Sequence, residues 1–503
     1  MRRLAAAALL VAATACGRGA APRDSIAIGL ATAPANLDPG VGVDESSQKL
    51  QQLLYSSLLK VDGALRVVPD LATRFDTIDW QTFTAEIPRG VKFHDGHEMT
   101  SADVVFTFRR FLDPAFASAR KGAYRELQSI DAVDRYTIAF KLKAPSAAFP
   151  INLVMGIVPD GAKPSLSRQP VGSGPYRLTD FVPDDHVSLA PFADYYQGAP
   201  ANSGLVFKVV PDETMRGLEL RKGDIDLVVN DLSPDMIHTL AKEARLRVVT
   251  GPGTDYAYLG FNLRDPQLQD VRVRQAIGFA LDRRAIVSYL RRGLAQPATL
   301  VVPPMSWAYE PDTLQFEHNL ARARALLDEA GVRDPDGDGP RPRLSLTLKT
   351  STAEAYRLQA AVIQQNLADA GIALEVRSYE FATLMTDVIR GNVQLYTLQY
   401  VGVTDPDMLR RAFHSAQVPP VGFNRGHYAN KTVDDLITRA SSSVDEGERR
   451  ELYAQVQRIV AEEVPYISLW AKTNVAVAQA NLEGISLSPI ADFSFLSRVR
   501  RVH

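Results

Sequence analysis

Cysteine is almost absent from this sequence: Cys16 is the only one among 503 residues. A disulfide within the chain and a zinc site built from several thiolates are therefore excluded. A chain of this length then depends on its apolar core for stability. Its hydrophobic content of 46 % is ample for that, and its length predicts two or three cores rather than one.

An excess of charge of one sign is also lacking. The chain has 56 Lys and Arg against 58 Asp and Glu, a formal net charge of −2. This balance gives no electrostatic reason to expect nucleic acid as a partner. Long apolar runs are missing as well: after the first 16 residues none reaches the roughly 18 residues that a transmembrane helix needs.

Familiar catalytic motifs do not occur. The sequence contains no G-x-S-x-G elbow, no H-E-x-x-H pair and no phosphate-binding P-loop. Catalytic triads are defined by geometry, so this absence does not exclude an enzyme, but it leaves no positive case for one. We therefore expect a protein that is not an enzyme and has no cofactor and no metal.

What the chain does have begins with a leader at residues 1–16. Two arginines precede twelve apolar or small residues, the pattern of a secretory signal, which is too short to span a bilayer. Its end, Ala-Thr-Ala-Cys, resembles a bacterial lipobox, which predicts lipidation of Cys16. The leucine usual at the third position before the cysteine is missing. Cleavage by an ordinary signal peptidase, which would release a soluble protein, is the alternative.

The most informative stretch is residues 82–112. Residues 82–87 alternate between apolar and polar, as in a half-buried strand, and Asp95-Gly96 is a strong turn signal. Thr100 stands three residues before Asp103, the spacing of a capping box, so a helix is predicted to begin there. Its apolar face has helical spacing: Val104, Val105, Phe108, Phe111 and Leu112.

The sequence of this stretch, RGVKFHDG followed by T-x-A-D-V, resembles the signature region of extracellular solute-binding protein family 5. These proteins are the dipeptide and oligopeptide receptors of ATP-driven importers. Further resemblances follow in order and at ordinary spacing, so they cover nearly the whole chain after the leader: LDPG, GSGPYRLTDF, ELRKGDID, YLGFNLRDP with VRQAI, and ARALLDEAG.

The resemblance implies an α/β fold of the periplasmic-binding-protein type: two lobes of the type II class, with an extra inserted domain. The expected division is a signal peptide at 1–16, domain I at 24–44, 170–255 and 476–503, domain II, the insert, at 45–169, and domain III, the second lobe, at 256–475.

The function implied is that of a receptor, not an enzyme. It would capture a small extracellular solute, in this family a di- or oligopeptide, by closing its lobes, and deliver it to a permease driven by an ATPase. The expected location is the periplasm or the outer side of the cytoplasmic membrane, with a lipid anchor and a monomeric chain. A sugar, an opine, an antibiotic or a metal chelate is the alternative ligand, and an exported hydrolase or a chaperone is the alternative function.

In relatives that bind peptides, the ligand pairs with two protein segments as an added β-strand does. The residues that match those segments, together with nearby candidates, are Ala31, Thr32, Ala33, Tyr396, Tyr400, Val401, Gly402, Val403, Thr404 and Asp405. Such relatives place an aspartate in the second segment for the ligand's amino group, and this chain has Gly402 there. Because an unpaired buried ammonium group is costly, either Asp405 or Asp407 replaces that carboxylate or the ligand differs.

Several patterns leave alternatives open. His94, His97 and Glu98 suggest a metal, but a spacing of three across a glycine turn favours a hydrogen-bonded turn. Residues 334–339 imitate the start of a calcium loop, but its twelfth position is Ser345, which favours an acidic turn. Three aromatic residues belong either to the cleft or to the core: Tyr396, Tyr400 and Trp470. Four arginines have helical spacing, for which a solvated helix face is expected: Arg272, Arg274, Arg283 and Arg284.

Overall fold

The computed structural model describes residues 25–337 and 339–502, so the leader with Cys16 lies outside the described residues. The first elements are β1 (Ile26–Leu30), α1 (Glu45–Leu54), β2 (Leu59–Val61), β3 (Val67–Pro69), β4 (Arg74–Thr77), β5 (Thr82–Glu86), α2 (Ser101–Arg109), β6 (Leu127–Ala132) and β7 (Thr137–Leu142). The middle of the chain forms β8 (Tyr176–Val182), β9 (His186–Pro191), β10 (Leu205–Val209), α3 (Glu213–Lys222), β11 (Leu227–Val229), α4 (Pro234–Leu240) and β12 (Leu246–Phe261).

The remaining elements are α5 (Val271–Ala280), α6 (Arg283–Ala285), β13 (Ala295–Pro297), α7 (Leu320–Glu329), β14 (Leu344–Ser351), α8 (Glu354–Asp369), β15 (Ile372–Tyr379), α9 (Phe381–Arg390), β16 (Leu395–Tyr400), α10 (Met408–Phe413), α11 (Lys431–Ser442), α12 (Glu446–Glu463), β17 (Tyr466–Gln479), β18 (Leu482–Glu483) and β19 (Arg500–Arg501). Among the described residues, no helix is long and apolar enough to cross a membrane.

Two long antiparallel strands connect the halves of the molecule. They are β12, with 16 residues, and β17, with 14, about three times the usual strand length. The large sheet runs β15-β14-β16-β12-β17-β11-β1-β10-β9-β8, with β13 added on β17. One end of the long pair joins β11 and the other joins β16, and the register shifts between Pro252 and Tyr256. The pair therefore crosses from one lobe to the other, and its irregular centre lies at the crossing.

The first lobe contains β1 and β8–β11, and its core includes the apolar face of α1. Ile26, Ile28 and Leu30 of β1 are fully buried together with Leu50 and Leu53 of α1. The helix begins after Asp44, whose carboxylate accepts a hydrogen bond from the Ser47 N–H at 2.8 Å. A capped helix thus packs against the strand that begins the fold.

An insert, built from β2–β7 and α2, follows α1 and has its own core. Four of its strands form the antiparallel sheet β4-β5-β7-β6. The predicted strand, turn and helix are confirmed: Gly96 has a φ of +94°, and Thr100 and Asp103 form the capping box. The core is rich in aromatic residues, all fully buried: Phe83, Phe93, Phe108 and Phe140.

The chain returns from the insert to the first lobe through residues 172–174. A Cβ at Gly172 or Gly174 would collide with the backbone carbonyls at the end of α1, those of Leu54 and Leu53. The glycines are needed for this close approach. His94 adds hydrogen bonds from the insert, because its backbone N–H donates to the Gly172 carbonyl at 2.7 Å.

The second lobe contains β13–β16 and helices α5–α12. Its sheet has helices on both faces, with one core under α5, α7 and α8 and another under α9–α12. The predicted apolar face of α5 is confirmed, since Val273, Ile277 and Ala280 are buried.

The expectation of a solvated arginine face is wrong for two residues. Arg274 and Arg283 are only 6 % and 9 % exposed. Arg274 donates hydrogen bonds to the carbonyls of Leu268 and Val464, and Arg283 donates to that of Ala298. Backbone carbonyls at the ends of other elements are their partners, which helical spacing does not reveal.

The insert also contacts the second lobe directly. The indole N–H of Trp80 donates to the Ser443 carbonyl at 2.7 Å. The guanidinium of Arg449 lies 5.3 Å from the ring centre of Trp80 and 5.0 Å from that of Trp307, so it is sandwiched between rings from both sides. Arg66 of the insert pairs with Glu446 at 2.9 Å, in an exposed position. These contacts are a second bridge, separate from the crossing strands.

Candidate ligand-binding site

The two segments expected to hold a ligand leave the large sheet at the crossing of the lobes. Residues 31–33 follow the carboxyl end of β1, and residues 401–404 follow β16, whose last residue, Tyr400, lies opposite Tyr256 of β12. In the sheet, the crossing strands β12 and β17 lie between β16 on one side and β11 and β1 on the other. Both segments thus leave the sheet near the centre of the crossing strands, one on each side of them.

The first segment is held by side chains of the first lobe. The Ala31 N–H donates to Asp231 Oδ2 at 3.3 Å, and the Thr32 carbonyl accepts from the Ser46 hydroxyl at 2.7 Å. Ala33 makes no hydrogen bond to any other described residue. Its backbone N–H and C=O remain for another partner.

The second segment is held by the crossing strand β12. The Gly402 N–H donates to Asp255 Oδ1 at 3.0 Å, and the Val403 N–H donates to the Thr254 carbonyl at 3.1 Å. Thr404 makes no hydrogen bond within the described chain. Gly402 has a φ of +66°, which favours glycine and gives a physical reason for the residue found there.

Charged side chains of alternating sign connect the two segments. We call this set the charge row: Asp231, Lys49, Glu45, Lys472 and Asp255. Lys49 Nζ lies 3.7 Å from Asp231 Oδ2 and 2.9 Å from Glu45 Oε1, and Lys472 Nζ lies 3.5 Å from Asp255 Oδ2. Asp231 accepts the Ala31 N–H at one end of the row, and Asp255 accepts the Gly402 N–H at the other. The row has two ion-paired parts, one around Lys49 and one around Lys472.

Electrostatics link the two ends of the charge row at Glu45. Desolvation raises the pKa of this carboxyl, but the charge of Lys49, and then that of Lys472, lowers it by more, so the net shift is downward. Lys472 thus acts on Glu45 of the first lobe as well as on Asp255. The lowered pKa favours the ionised form of Glu45, and the alternating signs of the row suit a ligand that carries charged ends.

A cavity of about 540 Å³ lies next to this row. Asp255 and Lys472 contribute to its wall, and most other lining residues are apolar or small. They include Pro297, Ala298, Val301, Met305 and Tyr309. A volume of this size fits a small ligand or a side chain of a larger one.

A second cavity of about 540 Å³ lies between the insert and the second lobe. Gly402, Val403, Thr404 and Asp405 line one side, and residues of the insert, including Phe149, line the other. Desolvation raises the pKa of Asp405 to about 6. The hydrogen bond from the Asp407 N–H acts in the opposite direction and lowers this pKa, while the negative charge of Asp407 raises it further. Asp405 Oδ1 accepts that N–H at 2.7 Å, so this side chain caps the turn.

The tyrosines expected either in the cleft or in the core lie in the core. Tyr396 and Tyr400 are 2 % and 6 % exposed, and the Tyr400 ring stacks on Tyr258 with centres 4.7 Å apart. Tyr396 packs where a Cβ at Gly260 would be. Trp470 is also buried, and its indole N–H donates to Gln359 at 2.7 Å. In this conformation none of the three side chains is available to a ligand.

The histidine cluster of the insert has protein partners throughout. Burial lowers the pKa of His94 to about 4, and its ring contacts the Gly172 N–H and the Gly174 carbonyl. His97 Nδ1 lies 2.6 Å from Asp95, and Glu98 accepts the Gly90 N–H at 2.8 Å. Each side chain stabilises the turn, in agreement with the structural interpretation.

Two aspartates of the calcium-like segment pair with arginines. Asp336 lies 3.2 Å from Arg341, and Asp334 lies 3.4 Å from Arg343. Asp338 lies outside the described residues. Within the described ranges no group of three His, Cys, Asp or Glu side chains has the arrangement of a metal site.

Comparison with known proteins decides the family. Residues 66–418 match the family described as bacterial extracellular solute-binding proteins, family 5 (middle). This chain belongs to that family. A family 5 protein is a receptor for solutes outside the cytoplasm, and the two-lobed α/β fold expected from the resemblance is confirmed.

Relatives align over nearly the whole chain. The oligopeptide-binding protein AppA of Bacillus subtilis (strain 168) is 31 % identical over 472 residues, which are 89 % of this chain and 86 % of AppA. The glutathione-binding protein GsiB of Escherichia coli (strain K12) is 29 % identical over 476 residues, 91 % of each chain. The structure of Bacillus subtilis AppA in complex with a nonapeptide has a TM-score of 0.73, 29 % identity, and covers 95 % of this chain and 99 % of AppA.

Sequence reasoning missed the charge row of this family 5 protein. Its members lie far apart in the chain and form no motif. A signal was present nonetheless: Asp255 and Lys472 are the single charged residues of two mostly apolar stretches, TDYAYLGF and SLWAKTNVAVA. Charged residues in largely buried strands often have a functional role.

Proposed function

We propose that this protein captures peptides between its lobes and delivers them to the permease of an ATP-driven importer. The observation that carries the proposal is the pair of segments, 31–33 and 401–404, in which Ala33 and Thr404 make no hydrogen bond to other described residues. A peptide backbone supplies donors and acceptors at regular intervals and suits two such edges. The relative AppA, named as oligopeptide-binding, supports the same ligand class.

The charge row supports a ligand with charged ends. The site as described offers carboxylates at Asp231, Glu45 and Asp255 and ammonium groups at Lys49 and Lys472. A zwitterionic peptide can find an opposite charge for each end at such a surface. A neutral sugar has no charged group that could pair with these side chains.

Capture requires no covalent step. A ligand that touches both lobes binds the closed arrangement better than the open one, so binding itself shifts the population towards closure. The irregular centre of the long strand pair, where the register shifts between Pro252 and Tyr256, is the proposed hinge. The proposed role is therefore that of a receptor and not of an enzyme.

The organisation of the chain belongs to the proposal. The expected division is domain I at residues 24–44, 170–255 and 476–503, domain II at 45–169, and domain III at 256–475. Helix α1, at the start of the expected domain II, packs in the core of the first lobe, so we assign it to domain I. Cys16 would carry a lipid anchor on the outer side of the cytoplasmic membrane, and the receptor would act there as a monomer. The family's role as an extracellular receptor supports this location.

A thermal-shift screen tests the proposal. The purified protein is heated with di- to pentapeptides, sugars, opines and metal chelates, each at the same concentration. A ligand at 100 times its Kd stabilises the folded state by about 2.7 kcal/mol, which moves Tm by a few degrees. Stabilisation by peptides supports the proposal. Stabilisation by another class alone would overturn the peptide ligand.

A further inference from the structure

A carboxylate lies next to Gly402 after all, but it comes from another strand. Asp255 belongs to the crossing strand β12, and its Oδ1 accepts the Gly402 N–H at 3.0 Å. The segment that would pair with a peptide is thus bonded directly to this side chain. We propose that Asp255 binds the terminal ammonium group of the peptide ligand. This inference rests on the proposed function and names the residue that selects ligands with a free amino terminus.

Asp255 has acceptor capacity to spare. Its side chain is 20 % exposed, and that of Lys472 is 28 % exposed. Lys472 Nζ lies 3.5 Å from Oδ2, farther than the 2.7–2.9 Å of a close charge-assisted hydrogen bond. A carboxylate has about four lone-pair sites, and the Gly402 N–H and Lys472 account for two of them.

Arg291 is a second cation that acts on Asp255, but it forms no ion pair with Asp255 in the described part of the chain. Its guanidinium lies 4.3 Å from the ring centre of Trp470. Within the described chain Asp255 forms an ion pair with Lys472 alone. An ammonium group of a ligand therefore meets a carboxylate whose charge is only loosely neutralised.

The other carboxylates of the second segment are engaged. Asp405 caps its turn by accepting the Asp407 N–H. Asp407 accepts two hydrogen bonds from Arg410, at 2.7 and 2.8 Å. The substitution of either for the aspartate missing at position 402, considered from the sequence, is therefore less favourable than that of Asp255.

The surroundings of Asp255 fit the start of a peptide. Asp255 lines the first of the two cavities described above, which also contains Lys472 and has a largely apolar wall. The side chain of the first peptide residue therefore has a space next to the ammonium group. The Thr404 backbone, which follows Gly402, is free to pair with the next peptide groups. Asp255 thus provides the charge that pairs with the ammonium group, while the backbone of the neighbouring segment orients the peptide chain.

Neutralising Asp255 tests the proposal. Asp255→Asn keeps an oxygen acceptor for the Gly402 N–H but removes the charge. Asp387→Asn is the matched control, because Asp387 pairs with Lys349 at 2.7 Å, is 23 % exposed, and lies on α9 outside both cavities. Both variants are first compared with the parent by circular dichroism and by Tm without ligand. Calorimetry then measures Kd for an equimolar library of random tripeptides and for the same library N-acetylated.

We expect the parent and Asp387→Asn to bind the free library at least about 30-fold more tightly than the acetylated one, since truncating a buried charge contact has effects of that size. In Asp255→Asn the ratio falls to near one. If Asp255→Asn keeps the parent's ratio, or if the parent binds both libraries equally, Asp255 does not bind the amine, while the peptide receptor stands. If the parent binds neither library but does bind another solute class, the proposed function fails instead.

A second measurement uses only the parent protein, so it tests the proposal even if Asp255→Asn does not fold. The parent is titrated with the free library at pH 7 and again at a pH above the pKa of the peptide amine. Weaker binding of the neutral amine, with unchanged binding of the acetylated library, supports recognition of the charge. Equal binding of the charged and the neutral amine would overturn it.

Discussion

The indole N–H of Trp80 donates a hydrogen bond to the Ser443 carbonyl at 2.7 Å, across 363 residues of sequence. This bond ties the insert to the end of α11 in the second lobe. Arg449 reinforces it by lying against the Trp80 ring. The contact thus restrains the position of the insert relative to the second lobe.

Replacement of Trp80 separates the two parts of this contact. Trp80→Phe keeps an aromatic face for Arg449 but removes the donor, and it should lower the free energy of unfolding by about 1 kcal/mol. Trp80→Ala also removes the ring and should cost about 3 kcal/mol. Urea denaturation measures both. Equal losses in the two variants would show that the ring contact with Arg449 contributes nothing.

A buried ion pair joins the first lobe to the insert. Arg110 donates to both oxygens of Asp38, at 2.9 and 3.1 Å, and the side chains are 11 % and 8 % exposed. Asp38→Asn should cost about 3 kcal/mol, because it leaves the Arg110 charge buried without its counter-charge. The loss appears in chemical denaturation as a lower midpoint.

An exposed ion pair is the control for that experiment. Lys431 and Asp435 lie 2.7 Å apart but are 87 % and 63 % exposed. Asp435→Asn should leave the free energy of unfolding nearly unchanged, since water and salt screen such pairs. A loss as large as that of Asp38→Asn would contradict the role assigned to burial.

The raised pKa of Asp405 predicts an effect on stability with a definite sign. The folded-state value of about 6 lies above the ordinary 3.8, so the stabilisation due to the protonated form is complete below pH 3.8 and is lost as pH rises through 6. Asp405→Asn, which stays neutral, should therefore gain on the parent as pH rises, by on the order of 2 kcal/mol at pH 7. Denaturation curves between pH 4 and pH 8 measure the difference. A difference independent of pH would contradict the shift.

His94 should change the stability of the protein with pH in the direction opposite to that of Asp405. Burial lowers its pKa from 6.5 to about 4, so its contribution is present above pH 6.5 and is lost as pH falls towards 4. The advantage of the parent over His94→Gln should shrink by on the order of 2 kcal/mol between pH 7 and pH 4. The same denaturation series tests this, with His97→Gln, an exposed neighbour, as control. A constant advantage would show that His94 is not held neutral.

Local patterns predicted the elements that local physics controls. The capping box at Thr100 and Asp103 formed as expected, because both partners lie within one helical turn.

By itself, then, the sequence determined the fold class and the family, because each rests on motifs contiguous in the chain. Only the tertiary structure decided the surroundings of single side chains. It buried Arg274 and Arg283 against carbonyls and placed Tyr396 in the core. It also brought Asp255 to Gly402, although 147 residues separate them. Such pairings follow from how the sheet is assembled, and no local period or spacing encodes them.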